Sequence, residues 1–191
     1  MYCFHLNLDL APFKFKFNYK DYLPPFGKTS NVVKFNLVDI NPELVELLAE
    51  RNIKIGWAEM FIKHPHMTVN EQIHIDEFRG DFVKLNWVWG GTGSTMRWFR
   101  ELDPAKKLTP SSNQINSPYL GFSINDVVLE HEEALSGPCI IQVGVPHNVV
   151  MGTDMRWALS FVLLDITGNT SARRRLSMPQ ALENLSNLRK A

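Results

Sequence analysis

The sequence predicts a mainly β domain with flanking helices, a β-sandwich or barrel such as a jelly roll. Three observations carry that prediction. Short apolar segments separated by Gly, Pro, Asn and Ser dominate the chain. The clear helical patterns are few and lie towards the two ends. The segment Arg156 to Ile166 is apolar on both faces, with Trp157, Leu159, Phe161 and Leu163 opposite Ala158, Val162 and Leu164. Such a strand belongs in the middle of a sheet that is covered on each side.

The elements follow in chain order. Phe13, Phe15, Phe17 and Tyr19 alternate with Lys14, Lys16 and Asn18, which predicts a half-exposed strand over 13–19. Lys20 to Asn31, with Pro24, Pro25 and Gly27, reads as loop. Pro42 to Arg51 reads as a helix: Asn41 caps it, Pro42 fits the first turn, Leu44, Val45, Leu47 and Leu48 give an apolar face, and Asn52 ends it. This helix is expected to cover the central strand.

Strand signals resume at Ile53 to Ile62, Gln72 to Phe78 and Phe82 to Trp89, the last closed by Gly90, Gly91 and Gly93. Tyr119 to Phe122, Asp126 to Glu130, Cys139 to Val145 and Arg156 to Ile166 complete the set. Pro104 to Pro118 is a polar loop suited to a lid or rim. Ser177 to Lys190 predicts a second helix, with Ser177 as cap, Pro179 early, and Leu182, Leu185 and Leu188 as its apolar stripe. The expected organisation is one domain over 1–191: N-terminal strands and a supporting helix over 1–52, a jelly-roll core over 53–166, and a helical extension over 167–191.

A chain of 191 residues is long enough to bury a large core. Its 20 Lys plus Arg balance 20 Asp plus Glu, so the whole-chain charge gives no drive towards nucleic acid or an anionic membrane. Cys3 and Cys139 have neither the spacing of a metal pair nor the density of a disulfide framework, and read as two reduced thiols, Cys139 buried in a strand. Met1 to Leu10 lacks the basic start and apolar run of a signal peptide, and no segment approaches the ~20 apolar residues of a membrane span. The expectation is a soluble cytoplasmic protein.

The chemistry gathers at His74, Asp76, His147 and Arg156. Side chains alternate along a strand, so His74 and Asp76 share one face, near a strand end where a pocket mouth would open. His147 comes 71 residues after Asp76, enough for about four intervening strands before the chain returns. Two histidines and one carboxylate with open positions opposite form the ligand set of non-haem iron(II) oxygenases. Nine residues after His147, Arg156 offers a rigid fork for a carboxylate-bearing cosubstrate. The competing partner for that charge is a salt bridge to Asp154 or Asp165.

The pattern His74-x-Asp76, a long gap, then His147 and Arg156 resembles the iron(II)- and 2-oxoglutarate-dependent oxygenase superfamily. The strings His74-Ile75-Asp76, Leu85-Asn86 and Ser94-Thr95-Met96-Arg97-Trp98-Phe99 are similar to a small group of that superfamily frequent in marine phage and bacterial sequences. The resemblance covers roughly Ile53 to Ile166. It implies a double-stranded β-helix core of cupin-like type, iron(II) held by His74, Asp76 and His147, and a salt bridge from Arg156 to the far carboxylate of 2-oxoglutarate. It further implies hydroxylation of a small molecule or amino-acid side chain by dioxygen, with release of succinate and carbon dioxide and with ascorbate as a supporting reductant. Related halogenases lack the carboxylate ligand, so the presence of Asp76 disfavours halogenation. The family often carries Ser or Thr two residues after the arginine; here that place is Ala158, and Ser160 follows on the same face. Asn86 either hydrogen-bonds the cosubstrate or is satisfied by a neighbouring strand.

Other features read more plainly. His64-Pro65-His66 with Glu71 resembles the His-x-His…Glu ligands of a cupin-type metalloenzyme, but the flanking glycines are displaced and Pro65 weakens a regular strand. A non-catalytic jelly-roll binding protein is the third reading. His131, within Glu130-His131-Glu132-Glu133, reads as part of a charged exposed turn, and Arg173, Arg174 and Arg175 as a solvated hinge. Trp57, Trp87, Trp89, Trp98 and Trp157 read as core or pocket wall, with Arg97 and Trp98 also placed to frame a substrate. Trp87 and Trp89 are expected to pack outward, opposite Lys84, Asn86 and Val88. The apolar stripe of the C-terminal helix offers a surface for a homodimer.

Overall fold

The computed structural model describes residues 1–26, 28, 30–65, 72–113, 116–168 and 174–190. Among these residues the strands are, in chain order, β1 (Cys3–His5), β2 (Ser30–Phe35), β3 (Ile53–Lys63), β4 (Ile73–Asp76), β5 (Val83–Gly90), β6 (Thr95–Glu101), β7 (Pro110–Ser112), β8 (Pro118–Phe122), β9 (Val127–Glu133), β10 (Gly137–Gln142), β11 (His147–Val150), β12 (Arg156–Asp165) and β13 (Arg174–Arg175). They form two antiparallel sheets. The larger runs β1-β10-β5-β12-β3-β2, with β13 beside the end of β12; the smaller runs β7-β8-β4-β11-β6-β9. The helices are α1 (Pro42–Ala49) and α2 (Met178–Asn184). No described helix is long and apolar enough to cross a membrane.

The strand β12 lies between β5 and β3 and is buried along its whole length, as its two apolar faces require. Trp157, Leu159, Phe161 and Leu163 point outward into a core completed by α1, α2 and the N-terminal segment. In α1 the Asn41 side chain accepts from Glu43 N at 3.0 Å, Pro42 sits in the first turn, and Leu44 and Leu48 are fully buried. Each of those leucines contributes roughly 1.5–3 kcal/mol by leaving water. Asn52, with a positive φ, turns the chain into β3. Met178, Ala181 and Leu185 bring α2 and its following turn into the same core, and Leu182 and Leu188 pack against it half-buried.

The inward side of the large sheet meets the small one. Val88, Ala158, Cys139 and Ile141 pack there against Met96 and Trp98, and the Trp98 indole donates to the Gln142 carbonyl at 2.8 Å. A β-bulge in β3 sets what joins them. Opposite Val162 and Leu163 the register jumps from Trp57 to Ile55, leaving Gly56 unpaired. Ile53 and Ile55 therefore belong to the outer core together with Ala58, Met60 and Ile62, while Trp57, Glu59 and Phe61 face a cavity between the sheets.

Several expectations are corrected. Residues 13–19 form no strand: Phe13 makes one bridge to Ile40, and Phe13, Phe17 and Tyr19 lie over the large sheet against Phe35, Trp89 and Trp157. The alternation is real, but aromatic packing rather than a partner strand satisfies it. The loops over 20–31 and 104–118 contain the start of β2 and the short edge strand β7, β1 and β6 fall outside the strands that the sequence pattern marks, and the returning strand of His147 is β11, separate from Cys139 to Val145. His131 sits within β9 rather than on a turn. Arg174 and Arg175 pair with β12 rather than forming a hinge; Arg174 is exposed to solvent, whereas Arg175 packs over the Trp57 ring and bonds Glu77, and Arg173 lies outside the described residues.

Candidate metal centre

The strands β4 and β11 are neighbours, and their register sets His74 directly opposite His147. The two ring centroids are 4.5 Å apart. Asp76 ends β4 on the same face, and the positive φ of Glu77 then turns the chain away. His74 Nδ1 lies 2.8 Å from the Gln72 carbonyl and His147 Nδ1 lies 2.9 Å from that of Val145. A carbonyl only accepts, so both Nδ1 atoms donate, and in the neutral rings Nε2 keeps its lone pair. Asp76 Oδ1 lies 3.4 Å from His74 Nε2 and 3.9 Å from His147 Nε2.

These three ligand atoms all lie within 4.8 Å of one another. One face of an octahedral ion with bonds of about 2.1 Å has edges of about 3.0 Å, so a modest contraction would seat a divalent ion. Burial, and next the neighbouring His74, pushes the His147 pKa down to about 3, which keeps the ring unprotonated and available as a ligand. Burial alone would raise the pKa of Asp76, but the Lys84 ammonium, and after it His74, holds the carboxyl well below the usual carboxylate range.

Lys84 and Glu59 escaped sequence reasoning as site residues. Lys84 Nζ is 2.7 Å from Asp76 Oδ2 and 2.8 Å from Glu59 Oε1. Burial opposes the lysine's charge, but Asp76 and Glu59 outweigh it and raise its pKa. Ser117 Oγ donates to the other Glu59 oxygen at 3.4 Å. The two oxygens of Asp76 are thus divided, Oδ2 to the lysine and Oδ1 to the imidazoles. The signals that could have found this pair are a lysine inside a strand otherwise apolar enough to be buried and a glutamate in the middle of Ile53 to Ile62.

A cavity of about 550 Å³ joins this cluster to the remaining sequence candidates, and Arg156, Ala158, Ser160 and Asn86 all line it. Ser160 Oγ donates to Asn86 Oδ1 at 2.6 Å, as the cross-strand register Ser160↔Asn86 allows. Arg156 is buried and has, among the described residues, neither a carboxylate nor a hydrogen-bond acceptor on its guanidinium. The two acids offered by the sequence are engaged elsewhere: Asp154 accepts from Thr92 N, and Asp165 accepts from Thr167 and Gln180. Burial depresses the Arg156 pKa to about 10. Its stem packs over Gly91, whose φ is +69° and where a Cβ would come 2.9 Å from Arg156 Cβ.

The other sequence readings separate cleanly. Trp98 is core rather than substrate frame, and Arg97 pairs with Glu132. Trp87 packs outward on Phe161. His64 follows β3, but His66 and Glu71 lie outside the described residues. No protein-family model matches the chain, and no curated protein matches it.

Proposed function

We propose that this chain is an iron(II)- and 2-oxoglutarate-dependent oxygenase that hydroxylates a small molecule or an amino-acid side chain, its sandwich built as a double-stranded β-helix. The observation that carries this reading is the uncompensated guanidinium of Arg156 in the same cavity as the His74, Asp76 and His147 cluster. A buried cation without a partner is costly, and a carboxylate ligand relieves that cost.

Charge supports the same ligand. Glu59, Asp76 and Glu77 are the acidic groups that line the cavity and Lys63, Lys84 and Arg156 the basic ones, so their charges cancel. A divalent ion at the cluster adds two positive charges, and a dianion reaching Arg156 restores neutrality. Iron(II), 2-oxoglutarate and dioxygen together supply the oxidising chemistry: one oxygen atom enters succinate as carbon dioxide leaves, and the other converts a substrate carbon–hydrogen bond to carbon–hydroxyl. The protein's part is placement. His74, His147 and Asp76 Oδ1 would hold the metal; backbone carbonyls fix both rings, and Lys84 fixes the carboxylate. Arg156 would bind the distal carboxylate; Ser160, whose hydroxyl is held by Asn86, lines the same cavity further along the strand, and position 158 supplies no hydroxyl. Met96, Ile141, Val143 and Val149 line the cavity with apolar surface and limit water.

Purified protein given iron(II), ascorbate and 2-oxoglutarate is expected to form succinate even without prime substrate. His147→Ala and Asp76→Ala should abolish that turnover; unchanged turnover in both would sink the assignment. Manganese plus N-oxalylglycine, an oxygen-inert mimic of 2-oxoglutarate, should raise the melting temperature. A non-catalytic sandwich would show neither effect.

A further inference from the structure

A second group of metal-ligand side chains lies where the two sheets meet at one rim. The terminal strand of the large sheet is β1, and that of the small sheet is β9. Each carries two ligand-type residues at a spacing of two: Cys3 and His5 on β1, His131 and Glu133 on β9. Side chains so spaced share a strand face, and here the two pairs converge. Cys3 Sγ donates to Glu133 Oε2 at 2.9 Å, His131 Nε2 lies 3.1 Å from the same oxygen, and His5 Nε2 lies 3.2 Å from Oε1. The ligand atoms of Cys3, His131 and Glu133 all fall within 4.8 Å of one another.

Two details mark this as more than a surface network. His5 Nδ1 is 3.0 Å from the Ser136 carbonyl and must donate to it, so in the neutral ring the Nε2 lone pair faces the Glu133 carboxylate. Lone pair against carboxylate is unfavourable unless a proton or a metal ion lies between them. The His131 ring is held against the rings of Tyr2 and Trp98, at 5.8 and 5.5 Å, which fixes where its nitrogen points. The same aiming device, a ring nitrogen donating to a backbone carbonyl, orients both histidines of the first cluster.

We propose that Cys3, His5, His131 and Glu133 form a second metal site, for zinc or a similar transition ion, that clips the edges of the two sheets together. Cys3, His131 and Glu133 already stand within ligand distance of one another, and His5, now on the other oxygen of Glu133, would swing onto the ion as the fourth ligand and close the site, the pattern of a structural ion. The thiolate selects against magnesium and calcium. Tetrahedral zinc with such ligands has edges of ~3.3–3.6 Å, close to the observed separations about Glu133. Binding replaces the thiol proton now donated to Glu133, so each ion taken up releases that proton to solvent. The site is separate from the first cluster: Trp98 stands between His147 and His131 in the cross-strand register, two strand spacings or roughly 10 Å apart. The clip does not rest on the oxygenase reading.

The test uses the full chain, stripped with a chelator and titrated with cobalt(II), in a His74→Ala/His147→Ala background that disables the first cluster. Thiolate-to-cobalt charge-transfer absorption in the near ultraviolet should grow to one equivalent, and zinc should displace it. Cys3→Ser should remove the band while Cys139→Ser keeps it, and His131→Gln should weaken cobalt binding at least tenfold. Zinc should raise the melting temperature of the background variant and leave that of its Cys3→Ser derivative unmoved. Absence of the band in the background variant overturns the proposal, as does its persistence in Cys3→Ser. If Cys3→Ser does not fold, Glu133→Gln stands in for it: a band and affinity unchanged in that variant overturn the proposal equally.

Discussion

Replacing Lys84 by methionine removes the cation that holds two carboxylates in place. The Lys84 side chain is 5% exposed, Asp76 and Glu59 lie 2.7 and 2.8 Å from its nitrogen, and methionine fills similar volume without charge. Breaking a buried pair by removing one partner costs about 3–5 kcal/mol, because the abandoned charge stays in low dielectric. For a chain of this size each kcal/mol moves the melting temperature by roughly 2–4 °C, so a fall of about 6–20 °C is expected by calorimetry of the metal-free protein. A Glu59→Gln/Lys84→Met double variant strands one carboxylate instead of two and should recover part of the loss. Manganese should stabilise Lys84→Met more than the unmodified chain, since the ion replaces the missing positive charge beside Asp76. A fall below about 2 °C, or a double variant no better than the single, would refute the claim that Lys84 holds this site together.

Arg156→Met should act in the opposite sense on the metal-free protein. Deleting an unpaired buried charge raises the melting temperature, while the shift given by manganese with N-oxalylglycine disappears. Gly91→Ala forces a side chain into positive φ and against the Arg156 stem. A loss of about 1–3 kcal/mol in urea unfolding is expected, together with a higher KM for 2-oxoglutarate in the turnover assay. The depressed pKa of His147 has a definite sign. Between 6.5 and about 3 the unfolded chain takes up a proton that the folded one refuses, so metal-free stability should fall as pH drops through that window. His147→Gln should flatten that part of a stability–pH profile, and an unchanged slope would count against burial as the cause.

The metal cluster was legible because its geometry is local. A period of two places His74 and Asp76 on one face whatever the rest of the fold does, and a single returning strand suffices to add His147. Arg156 was legible for the same reason, as a charge opening a strand apolar on both faces. The supports of the site were not. Lys84 could be placed on the face of Asn86, but nothing in its own strand says that the opposing partners are Asp76 and Glu59. The facing of Glu59 depends on an unpaired Gly56, which a strict alternation cannot register. The second cluster is still less local: His5 and Glu133 are 128 positions apart and meet only because two edge strands end at one rim. The aromatic alternation over 13–19 misled for a complementary reason, since covering a sheet face and joining a sheet use the same residues.

The bulge at Gly56 has a consequence for how such a site is gained or lost. Drawing that one glycine into regular pairing opposite Val162 would slip the register by one residue and turn the remainder of β3 to the other face. Ala58, Met60 and Ile62 would then line the space between the sheets, and Trp57, Glu59 and Phe61 would turn to the outer core. The ammonium of Lys84 would lose one of its two carboxylates with no change in amino-acid composition at all. An inert sandwich and one that can carry a charged, metal-ready interior differ here by one register step, so insertions and deletions in this strand would change chemistry more abruptly than most substitutions within the site.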